Sequence, residues 1–474
     1  MRRTKIVATI GPASASELVL RELIRNGMDI ARLNFSHGTH ESHQLVLERI
    51  RRISAEEGRH VAVLQDLGGP KIRTGTMPPH AVIDLLPGSE VALVSGLDRT
   101  EPGVIGISYP RLEEEVSAGQ KIFINDGLIE LRIARISGSS IFCNVIRGGP
   151  LTSRKGVNVP GAALISAPAV TMKDWQDLEW GLQNGADAIA LSFVRQAAEI
   201  AQVQQRIAES GKTAPVFAKI EKPQALDNIA AIVKQADGIM IARGDLGVEV
   251  EPERIPLIQK ELISLCNEHE RPVITATQML ESMTHATRPT RAEVSDVANA
   301  IFDGTDAVML SGETASGEFP IEALQMMARI AEQSDDYIAQ HPMCCSSERL
   351  PPPDNVSEAV GRAGEYLARK LNIRAVFVAE IDGTRTSGIS KSRPVSAIYA
   401  LADDPAVQRR LNFLWGVTPM PLPPVSRGSA LLRDIESLAL KHALANHGDW
   451  ILLLASTPHA LPGPLNTLRL QQIS

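Results

Sequence analysis

Eight short apolar runs, most of them separated by a helical pattern, set the tightest limit on the fold of this chain. They are KIVATI (5–10), DIARLNF (29–35), HVAVLQD (60–66), ADAIALSF (186–193), PVFAKIE (215–221), GIMIAR (238–243), PVITAT (272–277) and DAVMLS (306–311). Between them lie stretches such as SELVLRELIRNG with Leu23 and Ile24, RAEVSDVANAIFDG with Val294, Val297 and Ile301, and IEALQMMARIAEQ with Leu324, Met327 and Ile330. Those spacings gather apolar side chains on one helix face. Strand–helix alternation of this length predicts parallel β/α units. A closed eight-stranded barrel and an open doubly wound sheet both satisfy it. The helix-end-then-strand cadence repeated at NGM, NGAD and DGTD favours the barrel.

The cadence breaks after the third run. From 72 to 158 the pattern is short and alternating, with Gly and Pro turns (VIDLLPGSEVALVS, GVIGIS, KIFINDGLIELRIARISGSSIFCNVI), which predicts an inserted β domain. HPMCCSSERLPPPDN reads as a linker. Beyond it a helix (SEAVGRAGEYLARKL), two strands (AVFVAEI, AIYALA), a helix (SALLRDIESLALKHAL) and a strand (WILLLAS) predict a separate α/β domain. The expected division is 1–71 and 159–340 for the barrel, 72–158 for the insert and 341–474 for the C-terminal domain. A length of 474 residues suits several cores. A net charge of −7 argues against a general nucleic-acid binder, and no apolar run is long enough to span a bilayer. The four cysteines, Cys143, Cys266, Cys344 and Cys345, have no metal-ligand spacing, and adjacent Cys344 and Cys345 read as a pair of free thiols, which fits a reducing cytoplasm.

Polar residues collect at the carboxyl ends of the runs, the working face of a parallel barrel. Arg32, Asn34 and Ser36 are spaced by two and so share one side of a strand. Asp66 ends the third run, Lys219 and Glu221 the fifth, Arg243 and Asp245 the sixth, Thr275, Thr277 and Gln278 the seventh, Ser311 and Glu313 the eighth. A single such residue is a rim or capping group. Charged groups at so many strand ends need partners or a ligand. Glu221 and Asp245, with no histidine or thiol nearby, suit a hard divalent ion, magnesium first. Arg32, Arg73, Arg243 and Lys219 are cations of the kind that neutralise a transferring phosphoryl group. The residues alone thus predict a magnesium-dependent site for a small anionic, phosphorylated substrate.

The motifs TKIVATIGPAS, ARLNFSHG, GPKIRTG, KGVNVPG, AKIE, ARGDLGVE, ATQMLESM and PTRAEVSDVANAIFDGTDAVMLSGETASG, in this order and spacing, resemble the pyruvate kinase family over essentially the whole chain. The resemblance implies a (β/α)8 TIM barrel with an inserted β-barrel lid domain, a C-terminal α/β regulatory domain and a homotetramer. It implies the glycolytic reaction phosphoenolpyruvate + ADP + H⁺ → pyruvate + ATP, with Mg2+ (or Mn2+) as cofactor. Carried over by position, Glu221 and Asp245 are the divalent-metal ligands, and Lys219 contacts the transferring phosphoryl group. Arg32 and Arg73 bind phosphate. The backbone of Ala242, Arg243 and Gly244, with Thr277, takes the phosphoenolpyruvate carboxylate. Thr277 is also near the point of enolate protonation, through a water relay. Pro12, Asn34, His37, Arg73 and Lys155 lie near the nucleotide.

Departures from the family pattern carry their own expectations. In many members Asn34, Ser36, Asp66 and the residue after that aspartate form a potassium site, helped by a glutamate at the position of Lys71. This chain has Lys71 there and Leu67 in place of threonine, and Gly68 matches neither branch of the family. An ammonium offers the same single charge as the ion, so potassium independence is expected. Asn125 stands where an aspartate is commoner, beside Asp126, with little effect expected on the reaction. In EIDGTRTSGISKSRP, Asp382 and Arg385 replace hydroxyls of a phosphate loop, which disfavours a sugar bisphosphate. Arg385, Ser387, Ser390 and Lys391 are left as candidates for another phosphorylated effector. Two rival functions are a magnesium-dependent oxoacid lyase or aldolase on the same barrel, and a non-catalytic metabolite-sensing paralogue. The first leaves the insert and Lys219 unexplained; the second conflicts with a full set of catalytic positions.

Overall fold

The structure, a computed structural model, describes residues 2–162, 168–341, 353, 355–422, 429–456 and 464–474. The eight apolar runs are the eight strands of one closed parallel barrel. In chain order they are β1 (Lys5–Thr9), β2 (Ile30–Asn34) and β3 (Ala62–Asp66), then, after the insert, five more. The insert holds β4 (Ile83–Leu85), β5 (Glu90–Ser95), β6 (Thr100–Glu101), β7 (Val104–Ile107), β8 (Lys121–Ile124), β9 (Ile129–Ser137), β10 (Ser140–Arg147), β11 (Gly149–Leu151) and β12 (Val157–Asn158). The barrel resumes with β13 (Ala188–Leu191), β14 (Val216–Ile220), β15 (Gly238–Ala242), β16 (Val273–Ala276) and β17 (Ala307–Leu310). It closes in the order β1-β17-β16-β15-β14-β13-β3-β2. Register places Asn34 beside Asp66, and Ala242 beside Ala276, at one mouth.

The barrel interior is filled by Val7, Leu64, Phe217, Met240, Ile274 and Met309 among others. Gly238 makes room for the Phe217 ring; a Cβ there would lie 2.3 Å from it. At the opposite end from the mouth a repeated device locks the strands in pairs. Asp29, Asp187, Asp237 and Asp306 each precede a strand and accept an N–H from the first or second residue of a neighbouring one, from Ile6 (2.8 Å), Val63 (2.7 Å), Val216 (2.8 Å) and Val273 (2.7 Å). These bonds satisfy N–H groups that the ladder leaves open at its end.

The insert has its own apolar core, including Leu93, Ile107, Leu131 and Val145. Its strands form a seven-stranded sheet, β12-β8-β9-β10-β5-β7-β6, and a β4–β11 ribbon. The C-terminal domain is a five-stranded sheet ordered β20-β19-β18-β21-β22, with β18 (Ala375–Ala379), β19 (Ala397–Ala402), β20 (Val417–Pro421), β21 (Trp450–Ala455) and β22 (Thr467–Gln472). Apolar clusters cover both of its faces. It is fixed to the closed end of the barrel by charge and by shape. Lys391 and Arg393 pair with Asp306, and Arg409 Nε lies 2.8 Å from Asp187. Phe413 packs on Phe217 at 4.8 Å between ring centroids. Most of the expected linker, including Cys344 and Cys345, lies outside the described residues. Cys143 and Cys266 are free and buried. Among the described residues no helix is long and apolar enough to cross a membrane.

Candidate active site

Lys219, from β14, stands at the centre of the barrel mouth. Its ammonium reaches three acceptors, Ser192 Oγ at 2.7 Å, Glu221 Oε1 at 2.9 Å and Asp66 Oδ1 at 3.1 Å. Asp66 in turn takes Arg32 Nε on its other oxygen at 2.6 Å, and Arg32 Nη1 donates to Thr9 Oγ1 at 3.0 Å. Asp66 and Glu221 are almost fully buried and the two cations nearly so. Two positive and two negative side chains therefore neutralise one another away from water, the condition under which buried charges persist. Burial works against the charge on Lys219, but Asp66 and Glu221 outweigh it and hold its pKa above the usual lysine value. Burial likewise opposes the charge on Asp66, while Arg32 and Lys219 overcome it and keep the carboxylate ionised. For Glu221 burial wins: its pKa is raised, with Asp245 adding to the effect and Lys219 resisting it.

A glycine close approach sets the Glu221 carboxylate. Phe193 is left-handed (φ 56°) and points its N–H at Glu221 Oε2, 2.7 Å away. Gly69, at φ 66°, passes so near that an added Cβ would sit 2.8 Å from the Phe193 ring and 2.9 Å from Ser192 Cβ. Gly69 in QDLGGPK thus admits the turn that seats this carboxylate. Ser192, Phe193 and Thr9 were missed by sequence reasoning. The available signal was a hydroxyl at the ends of the first and fourth runs, which show no charge.

The turn after β16 carries Thr277 (φ 68°) and Gln278 (φ 54°) in left-handed conformations. A β-branched residue adopts that region only at a cost, which the surroundings must offset. Here Arg243 Nη2 donates to the carbonyls of Thr277 (3.0 Å) and Gln278 (3.4 Å), and Asp296 grips the guanidinium at 2.8 Å on Nη1 and 2.7 Å on Nη2. Glu313 accepts Leu280 N at 3.0 Å. Thr277 Oγ1 accepts the Gly244 N–H at 2.6 Å and donates to Ala276 O. Ala242, Gly244 and Thr277 are thereby brought together at the ends of β15 and β16, whereas the Arg243 side chain turns away to hold the turn.

Lys71 lies elsewhere than the sequence suggests. Its ammonium makes an ion pair with Asp245 Oδ1, at 3.3 Å, rather than joining Asn34, Ser36 and Asp66. Asn34 Oδ1 is taken by Ser36 N at 3.1 Å, and both Asp66 oxygens already face protein cations. Leu67 is fully buried in the apolar core, and its carbonyl accepts Ser192 Oγ at 2.7 Å. The physical reason is charge: Asp66 is neutralised by Arg32 and Lys219, and Lys71 pairs with Asp245 instead.

A cleft of about 510 Å³ between barrel and insert is lined by Ser36, His37, Lys71, Arg73, Asp126 and Lys155, with further residues of the insert. It gathers three of the residues expected near a nucleotide, His37, Arg73 and Lys155; Pro12 and Asn34 do not line it. Arg73 is steadied by Arg154 O at 3.2 Å. Burial first, then Arg73, Lys71 and Arg32, depress the His37 pKa, so its ring is neutral near pH 7.

Among the described residues no three His, Cys, Asp or Glu side chains are set to hold a metal. Two carboxylates do converge: Glu221 and Asp245 are close enough for the charge on one to raise the pKa of the other. Oxygen donors in that number fit magnesium, which keeps waters and substrate oxygens in its remaining positions. In the C-terminal domain the expectation for an effector fails at two residues. Lys391 is buried against Asp306 and Asn267 Oδ1 (2.8 Å), and Ser390 Oγ donates to Trp415 O (2.7 Å). Lys391 serves the contact with the barrel, because that buried carboxylate needs a cation more than solvent needs the lysine, and Ser390 is taken by a carbonyl of its own domain.

Residues 1–324 match the family model described as pyruvate kinase, barrel domain, and 358–471 the one described as pyruvate kinase, alpha/beta domain. A protein of Geobacillus stearothermophilus named pyruvate kinase is 41% identical over 476 residues. One of Sporosarcina psychrophila is 40% identical over 476 residues, and one of Staphylococcus aureus 40% over 475. Each alignment covers the whole of this chain and 81% of the relative.

Proposed function

Because this chain belongs to the pyruvate kinase family and is a phosphotransferase, we propose that it converts phosphoenolpyruvate, ADP and a proton to pyruvate and ATP with magnesium and without potassium. The observation that carries this reading is the Lys219 ammonium, buried, held charged and fixed between Asp66 and Glu221. A preorganised cation of that kind stabilises charge on a phosphoryl group in transit. The Ala242–Gly244 backbone and Thr277 hold the substrate carboxylate. Arg32, Arg73 and Lys219 face its phosphoryl group. The phosphorus–oxygen bond to the enol oxygen breaks as the ADP β-phosphate oxygen forms the new one. The enolate carbon then takes a proton from water ordered beside Thr277, since a threonine hydroxyl is too weak an acid to supply it alone.

Glu221 and Asp245 would hold the magnesium ion, which when bound offsets negative charge on the phosphates. The nucleotide lies in the cleft of His37, Arg73 and Lys155; Pro12 and Asn34, which do not line it, are assigned to the nucleotide by the family motif alone. Potassium independence draws support from two contacts: Asp66 is neutralised by fixed cations, and Lys71 adds another beside Asp245. In this reading 72–158 is a lid over the mouth of the barrel formed by 1–71 and 159–340, and 341–474 is a regulatory domain. The enzyme works in the cytoplasm, in glycolysis, as a homotetramer. With Lys391 committed to the barrel contact and Ser390 to the Trp415 carbonyl, any phosphorylated effector has to use other groups of the C-terminal domain. Phosphorus NMR tests the reaction: the phosphoenolpyruvate signal should give way to the ATP γ-phosphate with magnesium and not without it. Lys219→Met should lose turnover while keeping metal binding; near-normal turnover in that variant would refute the assignment.

A further inference from the structure

The inserted domain leaves the barrel fold through one polar junction. Asn158, the last residue of β12, is buried, and its side-chain Nδ2 donates to Glu249 Oε1 at 2.9 Å. The same carboxylate oxygen takes Lys222 Nζ at 2.5 Å. Glu249 ends the helix Arg243–Glu249, whose first turn carries Gly244 and Asp245. Lys222 follows Glu221 directly and caps the helix Pro223–Asp227. One carboxylate therefore joins the root of the insert to the two segments that carry Glu221 and Asp245.

Neighbouring contacts run the same way. Lys222 Nζ sits 5.8 Å from the centre of the Phe193 ring, and Phe193 N–H holds Glu221. Gln224 Nε2 donates to Ala162 O at 3.1 Å, a second tie to the exit of the insert. On the other side of Asn158, β12 pairs with β8 (Asn158 with Phe123), and β8 runs into three consecutive left-handed residues, Asn125, Asp126 and Gly127. That turn passes by the same helix, since a Cβ on Gly127 would lie 3.9 Å from Val248. A cavity of about 30 Å³, lined in part by Ile72, Tyr109, Asn158, Phe193 and Lys222, adjoins the junction. It has room for about one water, so the surrounding side chains can shift without opening the site.

We propose that Glu249 is a positioning residue that couples the seating of the inserted domain to the placement of Glu221 and Asp245. A buried carboxylate cannot shed its cation or its hydrogen-bond donor cheaply. Movement of Asn158 is therefore felt at Lys222 and along the helix to Asp245. The proposal rests on the reading of Glu221 and Asp245 as the metal carboxylates, and its test is built to fail separately from that reading.

Asn158→Ala removes the hinge donor and leaves the Lys222–Glu249 pair; Glu249→Gln removes the charge that joins all three. Two readouts apply to each variant and to the double variant: amide hydrogen exchange of the magnesium-free protein, and the magnesium concentration giving half-maximal rate. Loss of one hydrogen bond to a charged group predicts roughly tenfold faster exchange at both 124–128 and 243–249, and a half-saturating magnesium concentration raised about five- to tenfold. The thermal midpoint of Asn158→Ala should fall by only a few degrees, and the double variant should be no worse than the worse single one. Exchange that quickens only at 124–128, an unchanged magnesium response in both single variants, or losses that multiply in the double variant would each overturn the coupling. Glu221→Gln tests the metal reading by itself: if its magnesium response is intact, that reading falls while the exchange data still decide the hinge.

Discussion

Asp66→Asn tests the idea that one buried carboxylate organises the phosphoryl-facing cations. The side chain is 1% exposed and takes Arg32 Nε at 2.6 Å and Lys219 Nζ at 3.1 Å. Asparagine keeps the shape but loses the charge, and its NH2 group must face one of two cations that have nothing to accept with. Each charge-assisted bond is worth about 1.5–3 kcal/mol, and breaking a buried ion pair costs about 3–5 kcal/mol. A combined loss of about 4 kcal/mol, at about 1.4 kcal/mol per decade, lowers kcat/KM for phosphoenolpyruvate about a thousandfold if it falls on catalysis. If it falls on folding it lowers the melting temperature by about 8–16 °C, at about 2–4 °C per kcal/mol for domains of this size. The assay is pyruvate formation coupled to lactate dehydrogenase, run beside a thermal melt. Because the cluster is buried, the loss should not depend on ionic strength. A drop of less than tenfold with an unchanged melting temperature would refute the reasoning.

Three further outcomes follow from single contacts. Lys71→Glu exchanges the ammonium beside Asp245 for a carboxylate, so the variant should be slow in tetramethylammonium salt and be activated by potassium chloride; equal rates in both salts would count against the role given to Lys71. Gly69→Ala forces a Cβ to 2.8 Å from the Phe193 ring at φ 66°, which should cost about 1–3 kcal/mol of stability and weaken magnesium activation through Glu221; a variant with parental magnesium response and melting point would contradict that path. Lys5 is buried, with its ammonium 2.6 Å from Val417 O, and burial pushes its pKa down to about 8. The unfolded chain then binds more protons between about pH 8 and 10.5, so this residue makes stability rise with pH across that window, by about 2 kcal/mol at pH 9.5. Lys5→Met should remove that rise in denaturant titrations, and a rise that survives the substitution would show another group is responsible.

The barrel was legible because its strands are buried on both faces and read as unbroken apolar runs. Less of the C-terminal domain was. β20, with Pro419 and Pro421 in VTPMP, carries turn signals, and β22, TLRLQQ, is a half-exposed edge strand. At the site, Lys219, Glu221, Asp245 and Thr277 stood out as polar groups at strand ends. Ser192 did not, because a lone hydroxyl at a strand end has many bland explanations. The Lys71–Asp245 contact spans 174 residues, and no local pattern encodes it. The Asp29, Asp187, Asp237 and Asp306 series was visible as an aspartate before each of four strands, but only the register shows which N–H each one caps. Lys391 read as a ligand for phosphate because a lysine in a loop carries no sign that a buried aspartate awaits it.

The central claim is magnesium-dependent transfer from phosphoenolpyruvate to ADP by an enzyme that carries its own monovalent charge. It is tested most directly by the lactate-dehydrogenase-coupled rate with phosphoenolpyruvate, ADP and magnesium, first in tetramethylammonium chloride and then in potassium chloride. The account predicts closely similar rates in the two salts and none once magnesium is chelated. A many-fold rise on adding potassium, or turnover that persists without magnesium, would contradict it.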